Sequence, residues 1–505
     1  MRLATVAQCA EIDELSQKVY GLSGEILMES AGAVAARELD QAFYPDLKRG
    51  MTAIVSGPGN NGADGFVTAR HLHSAGHRDL RVFCATLNPE KTSSLFQIQL
   101  KRAQLQGIKI ISLDETPEKL EQLLSSSLIV DALFGIGLSR TVEGLFLSII
   151  DKINSVKVPV VSLDAPSGLH CDTGVVEGAT VRATMTLSFG LAKPGFFVAD
   201  GPTYTGKVRI LPIGFPFESL RGVATTHFLF NEKLAKRYLP SRSETGNKSD
   251  QGRMLLLAGH SGTWGAAVLS AVSAYRMGCG YVTLASEGVP YEKLAEAPEV
   301  LTASSRELFD KEVSQFQSIA IGPGFGVNEH TAEWIKKLKK EKVKNVVIDA
   351  DAITVCVQHG LFPLPETWVI TPHSGELARI LKISSQEIQK DRFAAAQLAA
   401  NICGCHVVLK GYKTILSYKE RCMVVNSGNS ALAKAGTGDV LTGMIGSMLA
   451  QGLETLQGTA AAVYVHGRLA DEWVRLGNDR NTLLASDLKD FLPQLLGRLS
   501  GGTLI

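Results

Sequence analysis

Asp439 stands where a carboxylate is unwelcome. It follows Ala435-Gly436-Thr437-Gly438 and opens the helical pattern Val440–Ala450. Backbone N–H groups gathered at a helix start form an anion site without any cationic side chain. A carboxylate at the mouth of such a site repels phosphate unless it takes a proton from whatever attacks that phosphate. Its plainer role is to complement the helix dipole, worth roughly 0.3–1 kcal/mol, but the glycines before it serve no purpose in a mere cap. A second glycine loop, Gly57-Pro58-Gly59-Asn60-Asn61-Gly62-Ala63-Asp64-Gly65, directly follows the apolar run Thr52–Ser56. Its first glycines, Gly57-x-Gly59-x-x-Gly62, keep the spacing of a dinucleotide-binding turn, but the loop reads equally as a tight turn capped by Asn60 or Asp64. Two further strand ends change the odds: Val130-Asp131-Ala132-Leu133-Phe134-Gly135-Ile136-Gly137-Leu138 and Ser162-Leu163-Asp164-Ala165-Pro166-Ser167-Gly168-Leu169. Together the three loops form an oxygen-rich pocket that could hold a monovalent cation through Asn61, Asp131 and Ser167. Singly, Asp131 or Asp164 is as good a helix cap as a chemical group.

More polar groups cluster around Asp439's half of the chain. Lys410-Gly411-Tyr412-Lys413-Thr414 follows an apolar run and can grip nucleotide phosphates with a cation, N–H groups and a hydroxyl. Gly322-Pro323-Gly324 is a turn that lets a ligand approach backbone closely, and Thr371-Pro372-His373 puts an imidazole at a strand exit. Asp349 and Asp351 end another strand, where a carboxylate can hold Mg²⁺ directly or through water, or simply cap a helix. His71 and His73 fall on what reads as a solvated helix without chemistry, and Cys403 and Cys405 as reduced residues of a buried strand.

These groups need strand ends to hold them. Short apolar runs alternating with helical stretches are the signature of parallel βαβ units. In the first half, strands are expected at Thr52–Ser56, Arg81–Ala85, Leu128–Val130, Val158–Leu163 and Met185–Ser188, after a helix around Ala7–Tyr20. The rhythm restarts at Gly252, with strands at Arg253–Ala258, Tyr281–Ala285, Ser318–Ile321, Asn345–Ile348, Trp368–Ile370 and His406–Leu409 and a small-residue helix through Met277. In open parallel sheets ligands bind beyond the strands' carboxyl ends, where every polar cluster above falls. The breaker Leu211-Pro212-Ile213-Gly214-Phe215-Pro216 and the aperiodic Ser241–Asp250 place a boundary near residue 220, giving domains 1–220 and 221–505. A chain of 505 residues is too long for one core. With 51 Lys and Arg against 50 Asp and Glu, it carries no field to recruit nucleic acid or acidic membrane. No signal peptide or spanning segment is legible, so a soluble cytoplasmic protein is expected. The small-residue stretch Ala266–Ala274 offers a face for a homo-oligomer.

Asn60-Asn61-Gly62-Ala63-Asp64-Gly65, Asp131-Ala132-Leu133-Phe134-Gly135 and Asp164-Ala165-Pro166-Ser167-Gly168-Leu169 resemble, in order, the epimerase domain of NAD(P)H-hydrate repair enzymes. The resemblance implies a Rossmann-like doubly wound domain. Asn60, Asn61, Gly62, Ala63 and Asp64 would contact the hydrated dinucleotide, as would Gly135, Ile136, Gly137, Leu138, Ser139, Arg140 and Thr141. Asn61, Asp131 and Ser167 would bind K⁺, and Asp164 would face the nicotinamide as the acid/base of inversion at C6. Ala63 replaces the family's usual glycine, a methyl that could narrow the loop. Residues 245–450 resemble the ribokinase-like ADP- or ATP-dependent NAD(P)H-hydrate dehydratases. The match runs through Lys248–Gly252, Gly262–Ala267, Gly322-Pro323-Gly324, Asp349-Ala350-Asp351, Thr371–Glu376, Lys410-Gly411 and Gly436-Thr437-Gly438-Asp439. Ala266, Gly324, His373 and Asp439 would contact the hydrate. Lys410, Gly411, Tyr412, Lys413, Thr414 and Gly438 would contact ADP or ATP, with Mg²⁺ as the accompanying ion and Asp439 as the base.

Together the two likenesses imply a bifunctional enzyme that takes the hydrates of NADH and NADPH, inverts C6, and dehydrates the S epimer with release of phosphate and, from ADP, AMP. Three other readings compete. A small-molecule kinase would use the same Gly-Thr-Gly-Asp base, keep its phosphorylated product, and leave the first half unexplained. A non-catalytic binding module in residues 1–215 would tolerate loss of Asp164. A dehydrogenase reading of the first glycine loop is weakest.

Overall fold

The computed structural model describes residues 1–138, 141–241, 245–288, 294–295 and 297–501. They form two compact units, Arg2–His227 and Phe228–Ile505, the second grouping with Met1. No described helix is long and apolar enough to cross a membrane.

The first unit is a seven-stranded parallel sheet. Its order is Lys109–Ser112, Leu80–Cys84, Met51–Ser56, Ser126–Ala132, Val160–Leu163, Met185–Phe189, Lys207–Leu211. Numbered along the chain this is 3-2-1-4-5-6-7, so the winding reverses between Met51–Ser56 and Ser126–Ala132, which opens a crevice at their carboxyl ends. Both central strands are buried along their whole length, as a parallel sheet covered on both faces requires. One cover is the helix Gly24–Arg49, which buries Ala31, Gly32, Ala35 and Ala36. These small residues let it lie close to the helix Asn60–Ser74: a Cβ on Gly32 would stand 2.4 Å from Val67 Cβ.

In the second unit the neighbours run Arg421–Val425, Ile415–Tyr418, His406–Leu409, Val369–Ile370, Val346–Ile348, Ser318–Ile321, Arg253–Leu257, Tyr281–Ser286, Leu301–Ser304. From Leu301–Ser304 back to His406–Leu409 the chain order is again 3-2-1-4-5-6-7 and all parallel, and an antiparallel hairpin closes the far side. The helix Trp264–Arg276 packs on Thr437–Ala450 so closely that a Cβ on Gly443 would stand 2.0 Å from Ser270 O. Ala267, Ala271 and Ala274 are fully buried there. The small-residue stripe expected to serve an oligomer is thus buried within the chain.

The expected strands are present, with ends shifted by a residue or two. Lys109–Ser112, Lys207–Leu211, Leu301–Ser304, the hairpin 415–425 and the helix Gly24–Arg49 were not expected. The helix bearing His71 and His73 is not solvated: eight of its residues are buried, and His71 Nε2 lies 2.8 Å from Glu29 Oε1. Cys403 ends a helix and Cys405 precedes the strand His406–Leu409; both are buried and unpaired.

Candidate active sites

In the first unit, loops leaving the two central strands meet at the crevice. A Cβ on Gly57 would lie 1.7 Å from Leu133 O, so only glycine lets the two backbones touch. The helix Asn60–Ser74 starts at Gly59 without a side-chain cap. Neither Asn60 nor Asp64 caps it, and the N–H groups of Asn60, Asn61 and Gly62 have no acceptor among the described residues. Such a start is open to an anion.

Asp131 is buried and accepts four hydrogen bonds: from Ser167 Oγ at 2.6 Å, Ser162 Oγ at 2.8 Å, Ser167 N at 3.0 Å and Leu133 N at 3.2 Å. Burial pushes its carboxyl above the usual range despite these donors. Asn61 is the opposite case: both its amide oxygen and nitrogen are buried without a partner, and Gly135 packs against it, its notional Cβ 3.3 Å from Asn61 Cβ. Asp164 has φ 62°, a strained backbone for a non-glycine residue. That conformation turns its carboxylate to Lys193 Nζ at 2.5 Å and to Phe189 N at 3.2 Å. The Lys193 side chain is 1% exposed. Burial works most strongly against its charge, but Asp164, Cys9 and Cys171 together more than offset it and hold its pKa above the ordinary value.

Asn61, Asp164 and Lys193 border a cleft of about 710 Å³, within the range of small-molecule sites, while Asp131 and Ser167, expected beside Asn61, do not line it. Of the expected contacts, Asn60, Asn61, Asp64, Gly135, Ile136, Gly137, Leu138 and Asp164 line it; Gly62, Ala63 and Thr141 do not. Ala63 is fully buried in the core beside Phe66 and Val67, so its methyl does not narrow the loop. Ser139 and Arg140 lie outside the described residues. The sequence reading missed Lys193, and also Cys9, Asp13 and Gln17 from the helix Val6–Lys18, all of which border the cleft.

In the second unit, the helix Thr437–Ala450 starts at Gly436 (φ 89°), again without a side-chain cap. The N–H groups of Gly438 and Asp439 have no acceptor among the described residues. The buried imidazole of His466 donates from Nε2 to Thr437 O at 2.9 Å. Burial lowers its pKa to about 4, so it remains a neutral donor. Ser270 Oγ donates to Asp439 O at 2.8 Å, fixing this turn to the neighbouring helix.

A Cβ on Gly438 would lie 3.5 Å from Lys410 Nζ and 4.0 Å from Asp349 Oδ2. The Lys410 ammonium contacts Asp349 Oδ1 at 2.9 Å and approaches Glu376 to 4.0 Å. Asp349's other oxygen accepts from Thr442 Oγ1 at 2.7 Å. Burial and the nearby charge of Asp349 push the Asp439 carboxyl up to about 6, with Lys410 pulling the other way. A carboxyl near 6 is matched to proton transfer at neutral pH.

Behind the loop Gly411–Lys413, buried Arg392 donates to Tyr412 O at 2.5 Å and Lys413 O at 3.1 Å. His373 caps its own helix, Nδ1 accepting from Gly375 N at 3.0 Å, with its side chain 59% exposed. Thr263 joins the remaining two expected contacts, donating from Oγ1 to Gly324 O at 2.8 Å and accepting from Ala266 N at 3.1 Å. Asp351 accepts from Gly326 N at 2.9 Å, tying that glycine turn to the strand end that bears Asp349. The sequence reading missed Thr442, Arg392 and His466, polar groups that no glycine loop marks.

Fold and sites define a two-domain α/β enzyme, Rossmann-like then ribokinase-like. Residues 254–494 match the family described as NAD(P)H-hydrate dehydratase, and residues 24–195 that described as YjeF-related protein N-terminus. The bifunctional NAD(P)H-hydrate repair enzyme of Moorella thermoacetica is 34% identical, with 99% of this chain and 97% of that one covered. Its counterpart from Thermofilum pendens is 34% identical with the same coverage. A ribokinase-like superfamily protein of known structure from Enterococcus faecalis is 26% identical, with a TM-score of 0.50 over 55% of this chain and 97% of that one. The chain belongs to the family of bifunctional NAD(P)H-hydrate repair enzymes.

Proposed function

We propose that residues 1–220 invert C6 of hydrated NADH and NADPH, and that residues 221–505 dehydrate the S epimer at the expense of ADP or ATP. The carrying observation is Asp439, a carboxyl pushed up to about 6 beside two unfilled N–H groups. Hydroxide is a poor leaving group at neutral pH. Asp439 takes the proton of the C6 hydroxyl, which attacks the nucleotide's terminal phosphoryl while the N–H groups of Gly438 and Asp439 hold the developing charge. The resulting phosphate ester leaves, pushed by the ring nitrogen, and the reduced nicotinamide is restored. Phosphate departs carrying the C6 oxygen, a proton is lost from C5, and AMP remains when ADP is the donor. Peptide N–H groups of Gly411, Tyr412 and Lys413, set by Arg392 behind them, face the remaining phosphates.

Around Lys410 stand the carboxyls of Asp349, Glu376 and Asp439, with Asp351 acting on Asp439, so the site is net negative and favours a nucleotide that arrives with a divalent cation. Among the described residues no group of three or more His, Cys, Asp or Glu is arranged to hold a metal. Mg²⁺ would therefore come on the phosphates, with Asp349 and Asp351 reaching it directly or through water. In the first unit, the orphaned Asn61 oxygen fits K⁺, which the Asp131–Ser167 pair would complete. Asp131's lone pairs already serve four donors, so its contribution is chiefly charge. A cytoplasmic, soluble homo-oligomer acting on NADHX and NADPHX, without nucleic acid or membrane, completes the reading.

The test is to give the purified chain both C6 hydrates with Mg²⁺ and ADP or ATP. Complete conversion to reduced dinucleotide is expected, falling to about half when Asp164 is changed to Asn. Phosphorylated dinucleotide accumulating without reduced nicotinamide would instead establish the kinase.

A further inference from the structure

The cleft of the first unit is bordered by three carboxyls, Asp13, Asp64 and Asp164, and one ammonium, Lys193. Only Asp164 has a cationic partner, Lys193 at 2.5 Å. Asp13 is exposed. Asp64 is half-buried, and its carboxyl accepts no hydrogen bond from any described residue.

We infer that Asp64 donates the proton and Asp164 accepts it during C6 inversion, with Lys193 the positioning residue that keeps the two roles apart. The inference rests on the epimerase reading above. Asp64 lies early in the helix that follows Met51–Ser56 and Asp164 directly follows Val160–Leu163, strands separated by Ser126–Ala132 alone, and both carboxyls border one cleft of about 710 Å³, room enough for a ring. Burial, then the charges of Asp164 and Asp13, push Asp64 well above the carboxylate range. A carboxyl unpartnered and pushed upward in this way is suited to give up a proton, as in other sites where two acids are driven apart by their surroundings. The remaining titratable neighbours are Cys9, Cys171, Asp13 and Asp172. Burial pushes both thiols up, Cys9 to about 11, so neither competes as an anion.

The step balances without an oxidant. Asp64 gives its proton to the C6 hydroxyl, the C6–O bond breaks, and water leaves as the N1 lone pair forms the C6=N1 bond. Water then adds to C6 from the other face, the π pair returns to N1, and Asp164 takes the proton released. Solvent exchange restores both carboxyls.

The experiment follows one purified hydrate epimer turning into the other, by chromatography, with the full-length chain and no nucleotide. Asp64→Asn is expected to lower kcat by roughly 10²–10⁴-fold, and Lys193→Met to move the acid limb of the pH profile up by about one unit, with Lys193→Arg restoring it. In H₂¹⁸O the wild-type chain incorporates one solvent oxygen at C6 per inversion. Circular dichroism and thermal unfolding of the same preparations check that the first unit of each variant is folded. An Asp64→Asn chain that keeps kcat and raises only KM overturns the donor role. An acid limb unmoved by Lys193→Met overturns the positioning role, and inversion without oxygen exchange overturns the step. A wild-type chain that never interconverts the epimers sinks the epimerase reading itself.

Discussion

The two units wind their sheets in the same strand order yet handle negative charge in opposite ways. In the first, Asp164 is held against a fully buried lysine, and a carboxyl without a partner stands across the cleft. In the second, the lysine is taken by Asp349, and Asp439 is left to face that carboxylate, its pKa rising to about 6. The same scaffold thus yields a paired anion in one crevice and a poised base in the other. Strand order brings loops together; the placement of one lysine decides which carboxyl is paired and which is left alone.

The sharpest way to break this comparison is a pair of substitutions. Asp439→Asn is expected to lower dehydration by roughly 10²–10⁴-fold while epimerisation continues, and Asp164→Asn to do the reverse. Each is read by nicotinamide absorbance and by epimer chromatography, and parallel losses in both assays would show that the two sites are not separate. Next in size is Lys410→Met. It weakens nucleotide binding about tenfold, as measured by KM, and because Lys410 holds Asp439 down, it moves the acid limb of dehydration to higher pH. Asp349→Asn is expected to move that limb the other way, below its wild-type midpoint near pH 6.

Gly443→Ala sharpens the packing side of the contrast. Its Cβ meets Ser270 O at 2.0 Å, so the helix carrying Asp439 must shift, at a cost of roughly 1–3 kcal/mol, and dehydration should fall with stability while epimerisation holds. The smallest effect is the gain from removing a disfavoured charge. Asp439's pKa is raised in the fold, so its ionised form costs stability above about pH 6, and that cost fades as pH falls toward the ordinary carboxylate value. Asp439→Asn should therefore raise the second unit's Tm at pH 8 by about 2–4 °C, the shift expected of about 1 kcal/mol after allowing for partial exposure, with no gain at pH 4.

The glycine loops were legible because glycine is demanded by backbone contact. Gly57 meets Leu133 O and Gly322 would meet Asp349 O at 1.8 Å, constraints that leave a mark in the sequence. Central strands were legible as unbroken apolar runs. Lys207–Leu211 was not an unbroken run: as an edge strand it alternates, with Lys207 and Arg209 exposed and Val208 and Ile210 half-buried. The helix Gly24–Arg49 escaped because small residues, Ala31, Gly32, Ala35 and Ala36, fill the middle of its buried face and Pro45 lies inside it. Lys193 escaped for a different reason. It lies 29 residues from Asp164, and only folding reveals that its ammonium is buried against that carboxylate. His466 and Arg392 share this character, acting on loop carbonyls from helices that carry no motif.

The central claim, that a nucleotide drives dehydration through Asp439, is tested most directly by counting phosphorus. With S hydrate and ADP, ³¹P NMR should show one orthophosphate and one AMP for every reduced nicotinamide formed, and neither product with Asp439→Asn. Reduced dinucleotide appearing without orthophosphate, or at an undiminished rate from the variant, would contradict it.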